Sequence, residues 1–335
     1  MKDINSLDAL KNLNTFGYLN VPIPSGINIF ASIKKLKEEK NAIILAHYYQ
    51  SNEIQDIADY IGDSLGLAQE AEKTSSDIIL FAGVHFMAET AKILNPTKKV
   101  LIPDLHAGCS LSDSCPAEVF KLFKESHPNH KVISYINCSS EIKALSDVIC
   151  TSSNATAIVE SFPKEQPLIF APDKNLGAYI NKITGRKMLL WNGSCMVHEI
   201  FSYDKLVNLK KENPNAIVIG HPECEENILS LVDYIGSTTQ LLNYTLRNKA
   251  EEFIVVTESG ILYQMIKSSP NKKFIPALPN NACACNDCPH MKRNSIEKIY
   301  NALVYEQPEI LMSTEMIQKA YLPIRKMLDI SAKMK

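Results

Sequence analysis

The chain has 335 residues, a hydrophobic fraction of 45% and a formal net charge of -2, which allows two or three domains with sizeable cores. No Lys/Arg cluster lies near its repeated motifs, which excludes a basic stripe for nucleic acid, and no apolar run approaches the ~20 residues of a membrane span. The opening MKDINSLDAL has no positive region followed by an apolar one, so we expect no signal peptide and a cytoplasmic location.

Strands and helices are predicted to alternate along the chain in three similar repeats. The first repeat is predicted to contain, in order, a helix at 28–39, a strand at 42–48, helices at 53–60 and 64–73, a strand at 77–83, a helix at 85–94 and a strand at 98–104. The second repeat has strands in KVISYIN, SDVIC, PLIFAPD and KMLLW, and the third has them in AIVIGHP, EFIVVTE and KKFIPA. Nearly continuous apolar strands separated by helices are typical of parallel sheets that are covered on both faces.

We therefore predict an α/β fold of three similar parallel-sheet units, related by approximate three-fold pseudosymmetry around a central active site. The copies begin 88 and 86 residues apart. A repeat of this length is too long for a solenoid and suits a small α/β unit. The predicted domains are 1–110 for the first unit with its N-terminal helix, 111–196 for the second, 197–293 for the third, and 294–335 for C-terminal helices that pack back on the first unit.

Each repeat carries a polar pair directly after its first strand. The pairs are His47 with Tyr49, Tyr135 with Asn137, and His221 with Glu223. Residues two apart in an extended segment point to the same face. If the units converge, these side chains form a pocket of imidazoles, phenols, an amide and one carboxylate, which can bind anions and move protons. Glu223 is the only carboxylate among them and is therefore the candidate general base.

A hydroxyl side chain follows the first member of each pair at an interval of 17 residues, at Ser64, Ser152 and Thr238. Each is predicted to open a helix near the carboxyl ends of the strands, where parallel sheets bind ligands. Helix N-termini offer N–H groups and the positive end of the dipole to carboxylates and phosphates. Plain N-capping is the alternative, because a triplicated ancestor would also preserve a structural cap at equal spacing.

One cysteine closes the last strand of each repeat. Cys109 and Cys195 lie 62 and 60 residues after the first members of their polar pairs, and the third repeat ends in C-A-C-N-D-C, which closes at Cys288. Spacing alone does not decide which cysteine of that motif corresponds. Three converging thiolates suit a 4Fe-4S cluster with one iron open to substrate, or a zinc site with water in the open position. Of the other cysteines, Cys138 and Cys150 are expected in the core.

The assembled motifs closely resemble the quinolinate synthase family. The resemblance runs from residue 28 to the C-terminal helices and rests on AHYYQ, GDSLGLA, the Ala-Gly-Cys109 turn, SYINCS, TSSNA, WNGSCMVHE, HPEC, IGSTTQL and the cysteines that end in Cys288-Pro-His-Met. It implies three α/β units around one central 4Fe-4S cluster whose ligands are Cys109, Cys195 and Cys288. The first cysteine of the family's C-x-x-C-x-x-C form is displaced here to Cys283, so the resemblance assigns no redox role to Cys283 or Cys285.

The resemblance also implies a reaction: iminoaspartate and dihydroxyacetone phosphate condense, lose phosphate and two waters, and cyclise to quinolinate in de novo NAD biosynthesis. An open iron would act as a Lewis acid while water leaves. Glu223, Tyr49 and His221 would move protons. The substrate-binding set would be His47, Ser64, Tyr135, Asn137, Ser152, His221, Glu223 and Thr238. The expected partners are the two substrates and, transiently, the upstream aspartate-oxidising enzyme, with neither nucleic acid nor membrane.

Two other classes of protein remain as alternatives. An iron-sulfur electron carrier would need a cluster that is fully ligated by protein, and one matched cysteine per repeat counts against it. A different cluster enzyme, such as an aconitase-type hydro-lyase or a radical enzyme, would share the three ligands. A product assay separates that class from the quinolinate hypothesis.

Overall fold

The computed structural model describes residues 10–11, 13–280 and 286–334. The chain divides into two compact units, of which the first comprises Met1–Cys109 with Pro289–Tyr321 and the second comprises Ser110–Cys288 with Leu322–Lys335. The first unit contains one four-stranded sheet and the second contains two.

The elements of the first repeat are α1 (Leu13–Phe16), α2 (Ile29–Glu39), β1 (Ala42–His47), α3 (Asn52–Ile57), β2 (Tyr60–Gly62), α4 (Ser64–Lys73), β3 (Ile78–Ala82), α5 (His85–Leu94) and β4 (Lys99–Leu101). Those of the second repeat are α6 (Ser110–Asp113), α7 (Ala117–Glu125), β5 (Lys131–Tyr135), α8 (Ser140–Leu145), β6 (Val148–Cys150), α9 (Ala155–Glu160), β7 (Leu168–Ala171), α10 (Lys174–Thr184) and β8 (Leu189–Leu190).

The third repeat contains α11 (Met196–Glu199), α12 (Tyr203–Glu212), β9 (Ile217–Gly220), α13 (Glu226–Leu229), β10 (Tyr234–Ile235), α14 (Thr238–Arg247), β11 (Glu252–Val256), α15 (Ile261–Ser268) and β12 (Lys273–Pro276). A 3-10 turn at Met291–Arg293 and the helices α16 (Ile296–Tyr305) and α17 (Thr314–Ala332) follow. None of the described helices is both long and apolar enough to cross a membrane.

The three sheets share one strand order, and neighbouring strands are parallel throughout. The order β2-β1-β3-β4 recurs as β6-β5-β7-β8 and as β10-β9-β11-β12. Because the order reverses next to the first strand of each repeat, a topological switch point lies between that strand and the third. Ligands of open α/β sheets bind outside the carboxyl ends of the strands at such a point. The polar pairs follow these first strands, so the fold places each pair at a switch point.

An aspartate ties the second strand to the first in every repeat. The carboxylates of Asp59, Asp147 and Asp233 each accept a hydrogen bond at 2.8 Å from a backbone N–H fifteen residues earlier, in the first strand. The same contact at the same interval shows that the repeats share local geometry as well as strand order. Together these features confirm the prediction of three similar parallel α/β units.

The core of the first repeat is completed by a helix from the C-terminal part of the chain. Every residue of β3 is buried, because helices cover both faces of the sheet. Ile299 and Leu303 of α16 are fully buried in the same hydrophobic cluster as Ile44 and Leu80. The boundaries of the four predicted domains stay a prediction.

The sequence predicts no strand at β2 or β10, and this is wrong. Both strands are only two or three residues long and pair only with the first strand of their sheet. Gly62 is the only buried residue of these two strands, and their other residues are partly or fully exposed. Edge strands of this length are too short to show the periodicity by which a strand is predicted. The equivalent β6 is predicted correctly in SDVIC because all three of its residues are buried.

Glu306, directly after α16, contacts Lys40 at the end of α2 and Lys99 at the start of β4. Its carboxylate contacts the ammonium groups of Lys40 and Lys99, the first at 2.7 Å. Hydrogen bonds from these two lysines lower the pKa of the Glu306 carboxyl to about 2. The contact is partly exposed, so solvent screening keeps its contribution near that of a surface ion pair.

Replacing Glu306 by glutamine is expected to lower the free energy of unfolding by about 1 kcal/mol at pH 7. Because the pKa in the folded chain lies below the ordinary 4.5, the contribution is complete above about pH 5 and is lost as the pH falls from about 4.5 towards about 2. Urea unfolding of both proteins at pH 7 and pH 4 should therefore give a smaller difference at pH 4. Glu315→Gln, which removes an exposed pair with Lys319, is the control and should leave the free energy of unfolding nearly unchanged at both pH values. An equal cost of Glu306→Gln at both pH values would contradict the assignment.

Candidate active site

In the first compact unit, the polar pair after β1 forms a tight turn. His47 and Tyr49 are both buried, and their ring centroids lie 4.4 Å apart with the planes nearly perpendicular. Nδ1 of His47 accepts a hydrogen bond from the backbone N–H of Tyr49 at 3.2 Å. In a neutral ring, this leaves the proton on Nε2. Ser64 and Cys109 belong to the same unit.

In the second compact unit, the same turn recurs after β9. Nδ1 of His221 lies 3.4 Å from the backbone N of Glu223, which donates to it, and both side chains are almost fully buried. Nε2 of His221 lies 3.2 Å from Oγ of Ser152, and Tyr135 makes a hydrogen bond to the Glu223 carboxylate. The structure thus brings together four of the residues that the sequence predicts for the site, from two different repeats.

His198 lies at the centre of this group, although the sequence analysis did not predict it. Its Nδ1 is 2.7 Å from Oε2 of Glu223 and 3.4 Å from Sγ of Cys195, and its ring stacks on that of His221 with centroids 4.7 Å apart. Its Nε2 lies 3.0 Å from the hydroxyl of Thr257. The missed signal is the spacing Cys-x-x-His in WNGSCMVHE, because residues three apart lie on the same face of a helix.

The Glu223 carboxyl is almost fully buried and surrounded by hydrogen-bond donors. Burial alone would raise its pKa, but the imidazoles of His198 and His221 and hydrogen bonds from His198 and Tyr135 lower the pKa to about 2. Glu223 is therefore held as a carboxylate. A carboxylate of this kind orients an imidazole and stabilises its protonated form.

The hydroxyls of Ser64 and Thr238 are not helix caps. Each is the first residue of its helix, and the residue before it serves as the N-cap: Asp63 in α4 and Ser237 in α14. Ser237 completes a capping box with Gln240. The capping alternative is therefore wrong for these two positions, and another explanation is needed for their equal spacing from the polar pairs.

Ser152 does not open a helix, contrary to the prediction. It lies in a turn, and α9 begins only at Ala155. The side chain of Asn154 accepts a hydrogen bond from the backbone N–H of Thr151 at 2.6 Å, and side-chain contacts of this kind stabilise a turn in place of a first helical turn. Ser152 consequently contacts His221 from a loop.

The turns that carry hydroxyls in the second and third repeats touch each other. Oγ of Ser153 donates a hydrogen bond to Oγ of Ser237 at 2.8 Å. Ser152 and Thr238 are the immediate neighbours of these two serines in sequence. The turn after β6 therefore contacts the start of α14, and hydroxyls beside the first N–H groups of a helix suit a carboxylate or phosphate.

Three buried polar atoms follow strands of the second repeat and have no hydrogen-bond partner within the described part of the chain. They are Oδ1 of Asn137 after β5, Oγ1 of Thr151 after β6 and Oδ2 of Asp173 after β7. Buried polar atoms without partners are rare, and each requires an explanation. Burial, and then the nearby charge of Glu223, raise the pKa of Asp173 well above its usual value. A polar ligand at the carboxyl ends of these strands would supply the missing partners.

The described cysteines fall into two groups by exposure, and Cys138 and Cys150 are buried as predicted. Cys109, Cys195 and Cys288 are partly exposed, whereas the other four are buried: Cys115, Cys138, Cys150 and Cys224. Burial raises the pKa of the Cys150 and Cys224 thiols, which disfavours the thiolate that binds metals. The three accessible thiols therefore fit the ligands of an iron-sulfur cluster by their chemistry and exposure. Cys283 and Cys285 lie outside the described residues.

Cys195, His198 and Glu223 also form a group of potential ligands for a single metal ion, with donor atoms all within 4.8 Å of one another. The 2.7 Å between Nδ1 of His198 and Oε2 of Glu223 is a hydrogen-bond distance. Two ligands at about 2.0–2.1 Å from a tetrahedral zinc ion would lie roughly 3.3 Å apart. The geometry therefore favours a hydrogen-bonded acid–base pair beside Cys195 over a zinc site.

Comparison with known proteins gives consistent matches over most of the chain. The model of the family described as "Quinolinate synthetase A protein" matches residues 31–329. The quinolinate synthase of Microcystis aeruginosa is 60% identical over 304 residues, which cover 91% of this chain and 95% of that protein. Those of Trichormus variabilis and Chloroherpeton thalassium are 59% and 58% identical over 310 and 308 residues, in each case 92% of this chain and 96% of the relative.

Proposed function

The chain belongs to the quinolinate synthetase A protein family, and from this membership we propose that it condenses iminoaspartate with dihydroxyacetone phosphate. The products are quinolinate, one phosphate and two waters, so the reaction needs no external oxidant or reductant. It would supply the pyridine ring in de novo NAD biosynthesis. Such a reaction requires groups that move protons at both substrates and groups that bind two carboxylates and a phosphate.

The observation that carries the proposal is the buried contact between Glu223 and His198 beside Cys195. The carboxylate and imidazole are 2.7 Å apart, and the thiol lies 3.4 Å from the same ring nitrogen. An acid–base pair is thus placed directly next to one of the expected cluster ligands. This is the arrangement needed when dehydration and proton transfer occur at one substrate.

We assign Cys109, Cys195 and Cys288 as the ligands of a 4Fe-4S cluster, since they are the partly exposed thiols of the described chain. With three protein ligands, such a cluster supplies a Lewis acid at its fourth iron. Each repeat contributes one of these residues.

Glu223 and His198 share the role of general base in this proposal. A carboxyl with a pKa of about 2 does not retain a proton near neutral pH. Nδ1 of His198 donates its proton to Oε2 of Glu223, so a proton taken from the substrate is held on the imidazole, whose protonated form the carboxylate stabilises. The hydroxyl of Thr257 holds Nε2 on the far side of the ring, which fixes the orientation in which Nδ1 faces Glu223. Tyr49 and His221 are the further proton-transfer groups.

The substrate-binding groups are assigned by their position near the carboxyl ends of the strands, where parallel sheets bind ligands. Asn137 has an unpartnered buried oxygen within the described chain, and Ser64 and Thr238 start helices that other residues cap. We assign these three, with His47, Tyr135 and Ser152, to the carboxylates and the phosphate. We also assign His221 and Glu223 to contacts with the substrate.

The direct test is a product assay with anaerobically prepared protein. Iminoaspartate and dihydroxyacetone phosphate are supplied together, and quinolinate and phosphate are measured over time. We expect the two products in equal amounts and neither when one substrate is omitted. Phosphate release without quinolinate, or no consumption by protein with a complete cluster, would overturn the assignment and favour a different cluster enzyme.

A further inference from the structure

Glu258 is a fully buried carboxylate next to Cys288. It lies two residues beyond the end of β11 and is 0% exposed. Oε1 accepts a hydrogen bond from the backbone N–H of Cys288 at 3.0 Å, and Oε2 accepts one from the N–H of Gly260 at 2.7 Å. Both oxygens are thus bound to main-chain donors. None of the roles assigned above to the pair of Glu223 and His198 requires this residue.

Other contacts hold the segment before Cys288 in the same place. Ser259 donates its backbone N–H to the carbonyl of Asn286 at 3.2 Å, and its hydroxyl contacts the carboxylate of Asp287. The side-chain amide of Asn286 donates to the carbonyl of Val197 in α11 at 3.0 Å. The segment 286–288 is therefore fixed both to the end of β11 and to the helix that begins after Cys195.

A buried carboxylate is costly unless its oxygens are satisfied, and hydrogen bonds to a charged acceptor are stronger than neutral ones. The bond to Gly260 serves the start of α15, which is an ordinary structural role for an acidic residue at a helix N-terminus. The hydrogen bond to the N–H of Cys288 does not stabilise a helix or a strand, because Cys288 lies in neither. It fixes the main chain, and thereby the direction of the side chain, of the residue that we assign as the third ligand.

We propose that Glu258 is a positioning residue for the iron-sulfur cluster: it fixes Cys288 in the geometry that binds iron and places a negative charge beside the cluster. The inference rests on the proposed function, because it requires Cys288 to be a ligand. Residues that hydrogen-bond to a metal ligand, or place a charge near it, tune metal affinity and reduction potential. Loss of Glu258 therefore weakens retention of iron and raises the midpoint potential.

The test compares Glu258→Gln with Glu251→Gln, a control at the exposed residue directly before β11. Glutamine has nearly the same shape, but its NH2 group faces one of the two backbone donors and cannot accept from it. Both variants and the wild type are reconstituted anaerobically. Iron release to a chelator, the midpoint potential of the cluster and thermal unfolding of the iron-free protein are then measured.

We expect Glu258→Gln to release iron at least about tenfold faster than the control, as the loss of one charged hydrogen bond implies, and to have a more positive midpoint potential. The iron-free variant should unfold within a few degrees of the iron-free wild type. A merely structural role of Glu258 would instead lower the unfolding temperature and leave the midpoint potential unchanged. If Glu258→Gln does not fold, Glu258→Asp, which keeps the charge but shortens the reach, is expected to release iron faster than the control.

Three results overturn the inference and remain distinguishable. Release within twofold of the control together with an unchanged potential, in a wild type that does hold four irons, removes the role of Glu258 and leaves the proposed function intact. A wild type that binds no four-iron cluster removes both. Unchanged release in the folded Glu258→Asp variant, should that variant be needed, also removes the role.

Discussion

Replacing Glu223 by glutamine is expected to lower turnover by about 10²–10⁴-fold while the iron content stays at that of the wild type. General acid–base groups contribute rate factors of this size. Glutamine keeps the shape of the side chain but cannot take up a proton. Because the carboxylate does not ligate a metal in our account, the cluster should form as before. The rate of quinolinate formation and the iron per chain, measured on the same preparation, give the result.

The matched control is Glu226→Gln, which removes a carboxylate from the same turn region at an exposed pair with Lys182. It should retain turnover within about twofold, since surface ion pairs contribute little. His198→Asn keeps a donor for Glu223 but not an imidazole, and it should lose turnover by a similar factor to Glu223→Gln. Near-normal turnover in either the Glu223 or the His198 variant would exclude the pair as the base.

Replacing Cys195 by alanine is expected to abolish turnover and to leave well under one cluster per chain. Three thiolates already leave one iron of the cluster without a protein ligand, so the two that remain are too few to retain the cluster. The neighbouring Glu223 and His198 would be left in place, so loss of activity should follow the loss of iron. Iron and sulfide analysis after anaerobic reconstitution measures this directly.

Cys115→Ala is the control for the same chemical change at a buried thiol. Cys115 is 2% exposed and packs in the core of the second repeat, so its replacement should cost about 1 kcal/mol of stability or somewhat more and leave the iron content unchanged. Full iron content in Cys195→Ala, or equal loss in both variants, would contradict the assignment of ligands by exposure.

Much of the site could be predicted because it repeats. A polar pair after a buried strand, a hydroxyl 17 residues later and a terminal cysteine recur three times, and parallel sheets place such residues at the carboxyl ends of strands. The contacts of His221 with Ser152 and of Tyr135 with Glu223 confirm that residues from different repeats meet. The strand order of the sheets explains why the pairs follow the first strand and no other.

The residues that sequence reasoning missed do not repeat. His198 has no counterpart at the equivalent position of the other units, and its role depends on contacts with residues far away in sequence, such as Thr257 at a separation of 59. Glu258 meets Cys288 at a separation of 30. The spacing predicts Ser152 at a helix start, but the local hydrogen bond of Asn154 keeps that segment in a turn. Periodicity does not predict the contacts of residues that occur in one repeat only.

The central claim is that the chain holds a 4Fe-4S cluster through one thiolate per repeat, so that one iron lacks a protein ligand. Mössbauer spectroscopy of the wild-type protein, reconstituted anaerobically with ⁵⁷Fe, tests it most directly. The account predicts about four irons per chain, with one iron site that changes its parameters when substrate or quinolinate is added while the other three do not. Zinc in place of iron, or four irons that all remain unchanged on addition of substrate and product, would contradict it.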